Sequence, residues 1–429
     1  MALIVQKYGG TSVANTVRIK EVAERVIATR NAGHDVVVVL SAMAGETDRL
    51  IHLAQEVAEQ PDPREQDVLL ATGEQVTISL FSIAVKHMGH EAQSMLGHQA
   101  RIYTDHAYGR ARISEIRTEP IWHNIYKGCI PVIAGFQGLD ERGNITTLGR
   151  GGSDTTAVAV AAALAADVCE IYTDVAGVYT TDPNIYHKAR KLQRISYDEM
   201  LEMASMGAKV LHIRSVEFAK KFNVPVHVRS SFVDESGTMV VKEEKSMEQV
   251  MVSGVAYSKG DARITLAGLP DVPGVAARIF TEIAQEGIVV DIIIQGSTAD
   301  TSLANLSFTV PRLDRQAAIR ILEGMKKEWT DLDISSDENI AKISVIGVGM
   351  RHHAGVAAKM FQALANEGIN IHMISTSEIK VSCVIDDSHT AKAVQILHDV
   401  FELDKPLQHE IPEMDKLHQQ RDRKDQCGR

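Results

Sequence analysis

The sequence predicts an α/β protein, an α/β/α sandwich with a mostly parallel central sheet followed by two smaller βαββαβ modules. Three observations carry this. Short apolar runs rich in Val and Ile alternate with amphipathic stretches through the first half of the chain. Residues 274–288 and 355–369 read GVAARIFTEIAQEGI and GVAAKMFQALANEGI, with nine of fifteen positions identical at an offset of 81. Aromatic residues make up only 5% against 45% for the AVILMFWYC set, so the cores are aliphatic and layered.

Residues 2–5 and 36–40 have the continuous β-branched character of strands buried on both faces of a parallel sheet. Between them Val17, Val22, Val26 and Ile27 form a stripe among charged residues, and Gly33 stops the helix, completing a βαβ unit. Further buried strands are expected at 130–136, 170–175 and 224–228, separated by helices such as 155–166 and 196–222. A polar exit at 234–245 closes the first unit, residues 1–245. Strands at 263–269 and 342–348 then lead into the two copies of the repeat. Two strand runs and another helix follow each copy, giving modules at 263–337 and 341–406, with a polar tail at 407–429.

A chain of 429 residues is long enough for about three domains. Its net charge of −11 opposes a phosphate-backbone partner, so no nucleic acid is expected. Cys129, Cys169, Cys383 and Cys427 lie too far apart for a CxxC or zinc spacing, which fits a reduced, cytoplasmic chain. No basic segment precedes the first apolar run, as a signal peptide requires. The run at 157–168, broken by Asp167, is too short to span a membrane, and no membrane partner is expected. The seventeen histidines show no metal-ligand spacing.

Four loops are candidates for chemistry. KYGGTS, residues 7–12, joins the first strand to the first helix; its glycines present backbone N–H groups, the helix N-terminus adds a positive dipole end and Lys7 brings a mobile charge. An ordinary turn with a solvated lysine accounts for this hexapeptide equally well. SAMAGETD, residues 41–48, follows the second strand at the equivalent edge, and alone reads as a cap loop with Thr47 as the capping residue. GRGGSDTT, residues 149–156, is harder to explain structurally. Three glycines are costly unless the backbone must approach a ligand closely, and Arg150 offers a planar fork for a carboxylate. TDVAGVYTTDPN, residues 173–184, places Asp174, Tyr179 and Asp182 after a strand, as magnesium or ribose partners or as plain turn formers. Glu74, in an otherwise apolar helical stretch, needs a partner if buried, and a substrate amine would supply one.

Taken in order, KYGGTS, SAMAGETD, LLATGEQ, GFQG, TTLGRGGSDTTAV, YTDVAGVYTTDP and GAKVLH, followed by two ACT-like repeats, resemble the bacterial monofunctional aspartokinases over nearly the whole chain. The resemblance implies transfer of the γ-phosphoryl group of MgATP to the side-chain carboxylate of L-aspartate, opening the lysine, threonine and methionine pathway. That carboxylate, with a pKa of about 3.9, is ionised at neutral pH and needs no general base. The obstacle is repulsion between two anions, which calls for positioning and cationic stabilisation.

By the same resemblance Lys7 would neutralise the transferring phosphoryl group, Asp154 would orient Lys7, Arg150 would clamp the substrate carboxylate and Glu74 its ammonium. Thr47, Gly151, Gly152 and Ser153 belong to the substrate side; Tyr8, Gly9, Gly10, Ser41, Thr173, Asp174, Tyr179, Asp182, Lys209 and Val210 to the ATP side. Read as a loop lysine, Lys7 should be replaceable at little cost to folding.

The repeats imply a sensor for lysine, threonine or both. In the first, Asp271, Pro273, Gly274, Val275 and Ala276 form a loop and helix start suited to an effector carboxylate, with Asp291 and Gln295 nearby. The corresponding set in the second is Val356, Ala357, Asn370, Ile371, Ser377 and Glu378, but DVPG in one against HHAG in the other makes the two unequal. Strand pairing between such modules leads to the expectation of a homodimer or larger oligomer. Two alternatives stand beside this reading. A kinase of the same fold acting on glutamate is opposed by GRGGSD and the tandem repeats. A non-catalytic amino-acid sensor is opposed by the intact Lys7, Arg150 and Asp154.

Overall fold

The computed structural model describes residues 1–207, 210–243, 251–297, 303–353 and 355–405. Eight strands form the main sheet in the order Arg194–Ser196, Thr238–Val241, Val226–Ser230, Val168–Thr173, Leu3–Tyr8, Asp35–Leu40, Ile130–Ala134 and Ala92–Met95. Every adjacent pair is parallel except Val226–Ser230 with Thr238–Val241. The apolar runs read from the sequence are its central strands, displaced by a few residues. One face packs on the helices Gly152–Ala163, Tyr197–Ser205 and Ile213–Phe222 through Val5, Val37, Val39, Ile171 and Val228. The other packs on Thr16–Asn31 and Thr72–His87 through Tyr8, Val36, Val38, Leu40 and Tyr172. Burial on both faces explains the unbroken apolar runs.

Three features depart from the sequence reading. The helix expected over 196–222 is two helices, Tyr197–Ser205 and Ile213–Phe222. Gly207, at φ 90°, follows the first, and His212 caps the second through its contact with Arg214 N. A small sheet of Ile113–Ile116, Ile102–Thr104, Gln137–Leu139 and Ile145–Thr147 was not foreseen, because strands of three or four residues leave little periodicity to read. The nearly continuous helical stretch Pro63–His87 is long and apolar enough to cross a membrane by composition. It is instead a helix pair that carries two buried carboxylates, Asp67 and Glu74.

The first of the two smaller modules is βαββαβ in chain order: Asp261–Pro270, Val275–Gln285, Ile293–Ser297, Leu303–Pro311, Arg315–Met325 and Asp333–Asp337. In the second, Ile340–Ile346, Val356–Asn366, Met373–Thr376, Lys380–Asp386 and Thr390–Val400 follow the same pattern. Its fourth strand, however, is Gly254–Ser258, which pairs antiparallel with Ile340–Ile346 from ahead of the first module. The first module is therefore inserted into the second. The tail assigned to 407–429 lies outside the described residues.

Candidate active site

The strands Leu3–Tyr8, Asp35–Leu40 and Val168–Thr173 run in register and end together, placing three of the four candidate loops on one rim, the usual ligand edge of an open parallel sheet. The loop 149–156 follows Ile145–Thr147 of the small sheet and reaches the rim through Asp154. Lys7 is the penultimate residue of its strand, and its Nζ lies 2.5 Å from Asp154 Oδ1 in the first turn of Gly152–Ala163. The ammonium thus sits at a helix N-terminus between a carboxylate and the Gly9–Gly10 backbone. Lys7 is only 8% exposed, so it is not a solvated loop lysine and its removal leaves Asp154 without its cation. Beyond Gly9 the chain enters a 3-10 turn, Gly10–Val13, before the long helix starts at Thr16 under the Asn15 cap; the dipole end at the glycines belongs to that turn.

Glu74 is 2% exposed. Its Oε1 accepts a hydrogen bond from Ala42 N at 3.0 Å, tying the second loop to the helix Thr72–His87, while Oε2 is buried and has no partner among the described residues. Burial raises the Glu74 carboxyl to about 7, against which the Ala42 bond pulls only weakly. A buried carboxylate with one unmatched oxygen is suited to an incoming ammonium. Ser41 directly follows its strand, with N donating to Tyr8 O at 3.2 Å. Thr47 is not the cap, because Gly45 takes that position and Thr47 falls inside the helix Glu46–Val57.

Arg150 is exposed at the crest of its loop, and the glycines around it have a structural cause that the sequence reading did not supply. A Cβ on Gly151, at φ 69°, would stand 2.1 Å from the His212 ring; one on Gly152 would meet Phe136 at 2.8 Å, and one on Gly149 the Gly109 carbonyl at 2.9 Å. These close approaches are to the protein's own chain. Ser153 is buried and packs by Gly135, where a Cβ would stand 2.7 Å away.

On the ATP side, the Tyr8 side chain is turned into the core. Its ring is fully buried and stacks on Tyr172 at 4.5 Å, leaving only its backbone to a ligand. Thr173 ends its strand and donates from Oγ1 to the exposed Asp174 carboxylate at 3.0 Å. Tyr179 pairs with Lys191 in a bridge. Asp182 closes its turn by accepting from Asn184 N at 2.9 Å, and its other oxygen accepts from Tyr257 OH at 3.1 Å. Val210 packs against the sheet core. Lys209 lies outside the described residues. Among the described residues no three His, Cys, Asp or Glu side chains gather as metal ligands.

The contact of Asp182 with Tyr257 belongs to a joint between the first unit and the second module that sequence reasoning missed. Val255 N donates to Thr180 O at 2.8 Å, Thr180 Oγ1 meets His398 Nε2 at 2.9 Å and Tyr186 OH donates to Asp399 at 2.6 Å. At its centre Glu199, 2% exposed, accepts from Ser196 N, Ser196 Oγ, Ser253 Oγ and Val348 N. The loop assigned to the nucleotide is thus held by the regulatory half. Partners this distant in sequence leave no local pattern.

In the first module Asp271, Pro273, Gly274, Val275, Ala276 and Gln295 line a cavity of about 310 Å³. Asp291 does not join them and pairs with Lys342 of the second module. Of the second set, Val356 is buried in the module core with Ala357 and Ile371 against it, Asn370 is exposed, Ser377 N donates to Lys380 O, and Glu378 pairs with Arg351 at 3.4 Å.

Residues 2–230 match the amino acid kinase family, and residues 264–324 and 343–401 match the ACT domain. Fold and site together define an amino acid kinase carrying regulatory ACT modules. The chain is 54% identical over 408 residues to the aspartokinase of Pseudomonas aeruginosa, covering 95% of this chain and 99% of that one. To aspartokinase 2 of Bacillus subtilis it is 51% identical over 406 residues, covering 94% and 99%. The crystal structure of Escherichia coli aspartokinase III in complex with aspartate and ADP, in the R-state, aligns over 93% of this chain and 99% of that one, with a TM-score of 0.76 at 26% identity. The chain belongs to the aspartokinase family, and its enzymatic class is aspartate kinase.

Proposed function

We propose that the rim transfers the γ-phosphoryl group of ATP to the side-chain carboxylate of L-aspartate. The observation that carries this reading is the pairing of Lys7 with Asp154 on the same rim as the unmatched oxygen of Glu74. A carboxylate oxygen forms a bond to the γ-phosphorus while the bond from phosphorus to the ADP oxygen breaks, and ADP leaves with the electron pair. No proton moves, so no general base is required. Lys7 stabilises charge on the transferring group, and Asp154 holds Lys7 in place. Arg150 receives the substrate α-carboxylate in a two-point contact. Glu74 takes the ammonium. Gly9 and Gly10 offer backbone donors to phosphate.

The ATP side comprises Ser41, Thr173, Asp174, Tyr179 and Asp182, with Lys209 by resemblance. Magnesium, when bound with ATP, screens phosphate charge. The exposed Asp174 suits an ion that keeps most of its water and its phosphate ligands. The cavity of the first module is the effector site for lysine, threonine or both, and the modules pair across a homodimer. One related structure, E. coli aspartokinase III with lysine and aspartate in the T-state, aligns over 92% of this chain and 99% of that one, with a TM-score of 0.74 at 27% identity, and supports lysine as a regulator. The site of action is cytoplasmic.

Hydroxylamine trapping tests the reaction. With MgATP and L-aspartate the protein should yield a coloured hydroxamate, and with L-glutamate it should not. Product from glutamate alone would move the reading to the other carboxylate kinase, and product from neither would leave a sensor.

A further inference from the structure

We propose that Asp67 and Arg214 are positioning residues for Arg150, holding the stem of its loop at two separate points. The inference rests on the reading that Arg150 receives the substrate carboxylate.

Asp67 lies on the helix Pro63–Leu70 and is 1% exposed. Its Oδ1 accepts from Thr147 Oγ1 at 2.7 Å and its Oδ2 from Thr147 N at 2.7 Å, while Gly109 N lies 3.0 Å from both oxygens. Among the described residues no cation pairs with it. A buried carboxylate is expensive, and here both of its oxygens accept from two chain segments, through Thr147 and Gly109. Those segments are adjacent to each other: Ala111 N donates to Thr147 O at 2.9 Å, and the Gly109 carbonyl fills the space beside Gly149.

Arg214 grips the same stem from the other side. It donates from one terminal nitrogen to Leu148 O at 2.5 Å and from the other to Ala111 O at 2.9 Å. The His212 ring lies under Gly151. Residues 147, 148, 149 and 151 are therefore each held from below or beside, and Arg150 alone stands exposed at the crest. A long, flexible guanidinium can only make a two-point contact reproducibly if its backbone anchor is fixed. Because Asp67 is 1% exposed and both its oxygens are engaged within the protein, it acts through Arg150 rather than on the substrate.

The test is steady-state kinetics on the full-length enzyme with aspartate and ATP varied separately, alongside thermal melting. Asp67→Asn and Thr147→Val should each raise the aspartate KM about tenfold and leave the ATP KM within about twofold. Thr147→Ser, which retains the hydroxyl, should restore the aspartate KM. Should Asp67→Asn fail to fold, the Thr147→Val and Thr147→Ser pair decides, since it removes and returns a single bond. Arg150→Ala is the reference and should raise the aspartate KM at least as much. If Arg150→Ala does so while Thr147→Val lowers only the melting temperature, the positioning role is overturned and the Arg150 reading stands. An unchanged aspartate KM in Arg150→Ala overturns both.

Discussion

Replacing Glu74 by Gln should flatten a pH dependence that the unaltered enzyme shows between about pH 6 and pH 8. Burial holds the proton on Glu74 up to about 7, against 4.5 for the free side chain. Between those two values the native protein carries a proton that the unfolded chain has lost. The burden on folding is therefore absent below about pH 4.5, grows as pH rises, and is complete above about pH 7 at roughly 3 kcal/mol. An ammonium ligand favours the ionised form. At pH 6 only about one molecule in eleven is ionised, and at pH 8 about ten in eleven, so the apparent Kd for aspartate should fall about tenfold across that range. The side-chain carboxylate of the substrate is ionised throughout and adds nothing to the slope. Calorimetric titration of aspartate into the nucleotide-free protein, in two buffers of different ionisation enthalpy, measures both the affinity and the proton released, which should approach one per site at pH 6. Glu74→Gln should bind weakly at every pH and release none. A slope that survives in Glu74→Gln, or unaltered protein whose affinity ignores pH, would refute the ammonium contact.

Lys7→Ala should lower turnover roughly a hundredfold to a thousandfold, as loss of a charge-stabilising group does. It should also lower stability by up to about 3 kcal/mol, because Asp154 loses its cation in a poorly solvated place; a stopped assay and a melting curve read the two separately. Gly151→Ala should destabilise by about 1–3 kcal/mol or more, since the new methyl would need a left-handed backbone and would collide with His212; an unchanged melting temperature would contradict that packing. Tyr257→Phe removes one hydrogen bond to Asp182 and should cost about 1 kcal/mol, with the ATP KM moving and the aspartate KM not; the reverse pattern would place Asp182 outside the nucleotide side.

The parts legible in the sequence were those whose physics is local or repeated. Strands buried on both faces announce themselves as Val and Ile runs, and the doubled GVAA helix fixed the number of modules before any contact was known. Lys7, Asp154 and Glu74 drew notice because glycine loops and a carboxylate in an apolar helix are unusual against their surroundings, and the pairing of Lys7 with Asp154 was implied by the family resemblance. That the Tyr8 ring would be turned toward Tyr172, a partner 164 positions away, was not legible, because no periodicity within five residues reveals which face a side chain takes. Asp67 was passed over for a related reason: its partners, Gly109 and Thr147, lie on short strands and turns too irregular to be read ahead of the structure. Strand Gly254–Ser258 was overlooked as part of the second module, since the sheet it completes resumes more than 80 residues later.

That strand exchange has an architectural consequence. Ser258 stands opposite Lys342, and Arg263 opposite Asp337, so the two crossings between the modules run side by side, with Arg312 bonded to Gly260 O on one and Glu338 O on the other. The inner module is thus a cassette with a single doorway. Cut out and replaced by a short hairpin, it should leave the outer module able to close its own four-stranded sheet, so that the inner module can be exchanged between relatives without rebuilding the catalytic half.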